Sequence, residues 1–321
     1  MLKQPYGSVP QISLKSTDCP VDAIKVCFGA NCDFSSEPNE IHTGLQALIP
    51  KNTVECWQPT EQMAHQVLTE QRIKLLRCRD FVMVATWLDK AQCDDLLSET
   101  QRAYERLLDL VKRQGQWHVV RSWNYLPAIN SGSGDLENYK LFCAGRAAAY
   151  ESRGIDERAF AAASALGTQS EGAVFYLLAT PQPGTQFENP EQTSAYLYPR
   201  QYGPRSPTFA RATSAQIGEH DILFISGTAS VRGHQSQHPG DAVRQTEQTL
   251  ENIAGLLATV NQRTGKFVSP DFLKVYLRVA NDQPVVAALI EKQYPDCEII
   301  YVKADICRSE LLVEIDGHCW L

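Results

Sequence analysis

The feature that most restricts the fold of this chain is an order of elements that occurs twice along its 321 residues. In the later copy, DILFISGTAS (221–230) opens with an apolar run and ends in glycine and small hydroxyl residues, as a strand leaving a core does. A polar loop, VRGHQSQHPG, follows, and Asp241 offers a carboxylate oxygen to the free amides of a helix start. Val243, Leu250, Ile253, Leu257 and Val260 then recur at helical spacing, with Gly265 just past the helix end. In DFLKVYLRVA (271–280), Leu273, Val275, Leu277 and Val279 alternate with Phe272, Lys274, Tyr276 and Arg278, the period of a strand. A short helix fits 284–293, where proline near the start gives up an N–H that has no partner there. Strands are expected near 298–303 and 310–315.

The earlier copy has the same order. FVMVATW reads as a strand, and Leu96, Leu97, Thr100, Tyr104, Leu107, Leu108 and Val111 mark a long amphipathic helix closed by Lys112, Arg113 and Gly115. WHVVRSWNYL is the next strand, 138–152 the second helix and GAVFYLLAT a late strand. The expectation is an α/β chain of two duplicated halves, each a mixed sheet with helices packed on one face. Residues 1–190 comprise the first half with an N-terminal extension, and 191–321 the second. The segment 181–213, rich in Pro, Gly, Gln, Thr and Tyr, connects the halves, and 1–75 forms strands and loops without a functional reading of its own.

Charge narrows the function. A net charge of −7 opposes a broad nucleic-acid surface but leaves room for a local pocket of arginines. No stretch approaches the length of a membrane-spanning helix, so no membrane partner is expected. The N-terminal MLKQPYGSVPQISLKS lacks the apolar core of a secretory leader, which places the expectation in the cytoplasm. The ten cysteines are scattered without a C-x-x-C pair, and read as reduced, mostly buried thiols rather than a disulfide framework.

Three segments can carry chemistry. In YLYPRQYGPRSPTFARA, Arg200, Arg205 and Arg211 are interleaved with Tyr198, Tyr202 and Phe209 and stiffened by three prolines. Guanidinium forks match carboxylates, so this segment reads either as a clamp for a small dianion or as a solvated linker. In ICRSELLVEIDGHCW, alternation sets Glu310, Leu312 and Glu314 against Leu311, Val313 and Ile315. Glu314 is then either a buried carboxyl with a raised pKa, suited to a general acid, or a wet residue of an edge strand. Cys307, seven residues earlier, can shape the same pocket, act as a nucleophile or be inert. SGTAS, with Gly227 and Ala229, lets a ligand approach the backbone closely. His234 and His238 lie four apart in a loop without further ligands, and no dinucleotide, P-loop or nucleophile-elbow motif is present, so neither metal nor cofactor is expected.

FISGTASV, FLKVYLRV and CRSELLVEIDG resemble the RidA (YjgF-type) superfamily, although Arg308 lies further from the Val313–Glu314 pair than in the simple RidA pattern. Together with RSWNYLPAIN, FCAGR and YPRQYGPRSPTFARA, they resemble the chorismatases from about residue 80 onward. That resemblance implies two RidA-like halves in one chain, a pocket near their junction, and no metal or organic cofactor. It further implies Glu314 as the catalytic glutamate and Arg146, Tyr202, Arg205 and Arg211 as contacts of the substrate carboxylates. The expected reaction is cleavage of the enolpyruvyl ether of chorismate, with Glu314 protonating the methylene carbon. Cys307 stands where the hydroxybenzoate-forming branch has cysteine and the hydrolytic branch alanine, which favours pyruvate plus 3-hydroxybenzoate. Hydrolysis to a dihydroxycyclohexadiene carboxylate, RidA-type imine deamination and non-catalytic metabolite binding are the competing readings. Two fused halves supply the contacts that RidA-like trimers make between subunits, so a monomer is expected.

Overall fold

The computed structural model describes residues 11–15, 19–29 and 31–321. Residues 1–10, on which the reading of the N-terminus chiefly rests, lie outside the described residues. The extension forms a small sheet of β1 (Gln11–Lys15), β2 (Ile24–Cys27), β3 (Glu40–His42) and β5 (Val54–Gln58), in the order β1-β5-β2-β3, while β4 (Gln46–Ile49) leaves it for another sheet. The first half follows with β6 (Ala64–Leu68), β7 (Ile73–Arg77), β8 (Val82–Leu88), α1 (Lys90–Cys93), α2 (Leu96–Arg113), β9 (His118–Pro127), α3 (Asn138–Ser152), β10 (Ala162–Thr168) and β11 (Ala173–Thr180). The second half starts ahead of the expected boundary at 191, because β12 (Thr185–Phe187) already pairs with β13 (Ala212–Ile217); β14 (His220–Ala229), the short hairpin β15 (Val231–Arg232) and β16 (Gln235–Ser236), and α4 (Ala242–Thr264) follow. It ends with β17 (Phe272–Leu277), α5 (Gln283–Gln293), β18 (Glu298–Lys303), β19 (Asp305–Ile306) and β20 (Val313–Trp320).

The two large sheets have one topology. The first runs β6-β7-β8-β11-β9-β10-β19 and the second β12-β13-β14-β20-β17-β18-β4. Each mixes a parallel pair, β9 with β10 and β17 with β18, with antiparallel neighbours. Each is completed by a strand from elsewhere: β19 of the second half pairs with β10, and β4 of the extension pairs with β18. These exchanged strands cover edges that would otherwise present unpaired backbone groups.

Local chemistry sets the helix ends as expected. Asp241 accepts from the Arg244 amide at the start of α4, and Gly265 closes it in a left-handed conformation at φ 70°. Helices α2 and α3 cover one face of the first sheet through Val82, Val84, Leu107, Phe142 and Phe175. Helix α4 covers the second through Leu250, Ile253, Leu257, Val275 and Ile315. The opposite faces meet each other and the extension in a third core that includes Trp57, Trp123, Tyr176, Phe224 and Tyr276.

Two further expectations are corrected here. The last strand begins at Val313 rather than at 310. Residues 308–311 turn instead, with the Leu311 amide donating to the Arg308 carbonyl, so Leu312 packs with the α4 core and does not share the face of Glu314. The cysteines are not all reduced: Cys19 and Cys56 form a disulfide, with Cα atoms 6.1 Å apart across 37 residues of chain. The extension folds back on itself to bring the two together, a contact that spacing alone does not disclose.

Candidate active site

The cavity that gathers the chemical groups lies where the two halves meet. Its main chamber, of about 200 Å³, is walled by Tyr198, Tyr202, Phe209 and Arg211 of the connecting segment, Gly227 and Ala229 of β14, Cys307 and Arg308, and Glu314. A smaller chamber of about 40 Å³ shares Gly227, Cys307 and Glu314 and is bounded by Arg146 and Ser164 of the first half. Of the residues expected in the site, Glu314, Cys307, Arg146, Tyr202, Arg211, Gly227 and Ala229 are brought together. Arg205 is not: it lies on the surface, pairs with Glu151 of α3 and lines a separate depression. The proline-rich segment alternates between cavity and solvent, so adjacent arginines face different surroundings.

Glu314 is 4% exposed, on the face of β20 that looks away from α4. In register it opposes Ala229 on β14 and Tyr276 on β17. The equivalent register position in the first sheet, opposite Tyr125 of β9, is Val174, so only the second copy carries the acid. Burial, reinforced by the neighbouring Asp316 carboxylate, pushes the Glu314 carboxyl up to about 8, against the pull of Arg121, Arg211 and Arg278. Gly227 is required by this placement: a Cβ there would lie 2.0 Å from Glu314 Oε1.

The arginines are short of partners. Arg146 is 1% exposed, packs its guanidinium 4.9 Å from the Phe142 ring centre, and leaves Nε and Nη1 without an acceptor. Arg211 donates through Nη2 to the Thr193 carbonyl and to Tyr198 Oη at 2.7 Å, while its Nε is unpaired. Buried guanidinium groups without carboxylate partners are costly unless a ligand supplies the anion. Arg308 lies 4.0 Å over the Tyr202 ring and is held by the His234 carbonyl and Ser236. Tyr202 Oη is itself 3.1 Å from His234 Nδ1.

Arg278 fixes the loop that presents Cys307 and Arg308, pairing with Asp305 and donating to the carbonyls of Ile306, Arg308 and Leu311. Burial first, and then Glu314, push the Cys307 thiol well above its usual range. It is a neutral wall of the cavity and not a poised nucleophile. Among the described residues, neither His234 nor His238 belongs to a group able to hold a metal; the grouping of that kind is Cys27, Glu40 and His42 in the extension. There Lys25 lies 3.7 Å from Glu40, and Lys74, whose ammonium donates to the Glu40 carbonyl, adds a second cation.

The polar interior beneath the site was not anticipated. Asp316 pairs with Arg121 at 2.8 Å, and Glu55 of the extension pairs with Lys274 at 2.6 Å, all four groups fully buried. The spacing E-x-D-x-H at Glu314, Asp316 and His318 puts three polar side chains on one strand face, and that spacing was the available signal.

Fold and cavity define an α/β protein of two duplicated halves, built around a buried carboxyl and buried arginines with unpaired N–H groups. The model for "Chorismatase FkbO/Hyg5-like, N-terminal" matches residues 55–179. A 3-hydroxybenzoate synthase of Streptomyces hygroscopicus is 41% identical over 231 residues, 68% of either chain. A chorismatase of Streptomyces rapamycinicus is 37% identical over 230 residues, covering 68% of this chain and 69% of its own. The crystal structure of a chorismatase superposes with a TM-score of 0.84 over 97% of this chain and 98% of its own, at 27% identity. The chain belongs to the chorismatase family and is an enzyme of that type.

Proposed function

We propose that the cavity takes chorismate and converts it to pyruvate and 3-hydroxybenzoate. The observation that carries this reading is a carboxyl held near pKa 8 inside a cavity whose buried arginines keep N–H groups without acceptors, Nε and Nη1 of Arg146 and Nε of Arg211. Chorismate has two carboxylates for those arginines and an enol ether for the acid. Glu314 delivers its proton to the enolpyruvyl methylene, which becomes a methyl group, and an oxocarbenium ion forms at the adjoining carbon. The ring C–O bond breaks as the neighbouring ring hydroxyl oxygen bonds to the same ring carbon. Pyruvate leaves as the ketone, the hydroxyl proton returns to the Glu314 carboxylate, and the arene oxide isomerises to 3-hydroxybenzoate. No water is consumed. The neutral thiol of Cys307 beside Glu314 supports this route over hydrolysis, because it fills space that a water would need.

Purified protein with chorismate should release pyruvate, and chromatography should show 3-hydroxybenzoate. Glu314→Gln should lose about a hundredfold or more in rate. Binding without pyruvate release would reject the reading. An unchanged, exclusive 3-hydroxybenzoate product from Cys307→Ala would reject the role of the thiol.

A further inference from the structure

The acid belongs to the second half, but much of the charge around it belongs to the first. Asp316 lies two residues after Glu314 on the same strand face and is 1% exposed. Its Oδ2 accepts from Arg121 Nη2 of β9 at 2.8 Å, from Ser164 Oγ of β10 at 2.6 Å and from Tyr276 Oη of β17 at 2.8 Å. Arg121 Nη2 donates to Ser164 Oγ as well, at 2.7 Å, and Ser164 lines the small chamber beside Glu314. The network therefore runs from the floor of the cavity into the contact between the halves without reaching the main chamber.

We propose that Asp316, Arg121 and Ser164 are positioning residues for proton transfer: a charge pair built across the two halves and anchored by the serine sets the proton affinity of Glu314. This rests on the reading of Glu314 as the acid. The two charges act in opposite senses, Asp316 favouring the protonated carboxyl and Arg121 the ionised one. Their close pairing fixes the balance, because both side chains are buried, hydrogen-bonded and screened from solvent. The remaining groups facing Glu314 leave this balance in place. Arg211 from the connecting segment and Arg278 after β17 favour ionisation and are held by the hydrogen bonds described above. Arg146 and Tyr139 of α3, with Arg308 and Glu310 from the loop after β19, face the chambers, Arg308 held by the His234 carbonyl and Ser236 and Glu310 accepting from Ser236. Burial keeps Tyr276 and Cys307 protonated. In the first half the place of Asp316, two residues after Val174, is taken by Tyr176, so this copy has neither the acid nor its regulator.

The test is the pH dependence of kcat/KM for pyruvate release. A general acid is active when protonated, so the parent profile is level at lower pH and falls above about pH 8. Asp316→Asn removes the negative charge and leaves Arg121 in place, and the falling limb should move to lower pH by about one unit. Arg121→Gln leaves Asp316 unopposed and should move it to higher pH. The double variant removes both charges together and should return the limb to within about half a unit of the parent. It also guards against misfolding of either single variant, because it leaves no unpaired buried charge. Limbs that stay in place, or that move the same way in both single variants, overturn the inference. A double variant displaced as far as Asp316→Asn does so too. Glu314→Gln is the control that separates the two claims. If it retains the parental rate, the acid assignment fails; if it is inactive and the limbs do not move as stated, only the tuning network fails.

Discussion

Replacing Gly227 by alanine tests how closely catalysis depends on the seat of Glu314. The added methyl would lie 2.0 Å from Oε1 and 3.0 Å from the carboxyl carbon, whereas Ser164 Oγ, at 3.4 Å, is in ordinary contact. Gly227 is not among the glycines with positive φ, so alanine is accepted by the backbone. The clash is with the far end of a flexible side chain, and rotation of Glu314 relieves it. The fold should survive with a loss of less than about 1 kcal/mol. The acid, however, must move by about 1 Å or more, and a displacement of that size costs on the order of a hundredfold in rate. The assay is steady-state pyruvate release alongside a thermal melt. The expected pattern is a nearly parental Tm with a loss that falls in kcat, because the arginines are untouched. A variant that melts like the parent and keeps more than about a third of its kcat refutes the reasoning.

Other perturbations separate binding, protonation and stability. Arg146→Met removes a buried cation that has no carboxylate partner and whose Nε and Nη1 are unpaired, so the free enzyme should be about as stable as the parent, while kcat/KM falls by about a hundredfold. Arg205→Ala breaks an exposed pair outside the cavity and should leave kcat/KM within about twofold. Lys274→Met strands the buried Glu55 carboxylate and should cost about 3–5 kcal/mol in urea denaturation, most of it recovered in Glu55→Gln/Lys274→Met. Glu314 is raised in the folded state from 4.5 to about 8, so the folded protein binds the extra proton between those values. Its favourable contribution is complete below about pH 4.5 and is lost as pH rises to about 8. The Tm of Glu314→Gln should therefore gain on that of the parent across this window and keep a constant lead above it. A flat difference would count against a raised Glu314.

How much of this was legible in the chain depends on the range of the interactions. The repeated order of elements was, because it is written in local periodicity. Leu107 and Val111 on α2, or Leu273 and Val275 on β17, declare their elements through their neighbours alone. Caps such as Asp241 and Gly265 are equally local. The exchange of β4 and β19 was not, since a short strand reveals nothing about which edge it will cover. Nor was the Cys19–Cys56 pairing. Resemblance picked out Arg146 and Arg211, but it also picked out Arg205, which shares their residue type and points the other way.

By itself, then, the sequence determined two α/β halves, a net charge of −7, and a short set of residues of the types that protonate or bind an anion. Tertiary structure alone decided which of them act together. A carboxyl becomes an acid of pKa about 8 only when distant segments exclude water from it and set Asp316 and Arg121 beside it. Desolvation and buried charge depend on what surrounds a group in space, and residues from 121 to 316 must meet before those surroundings exist.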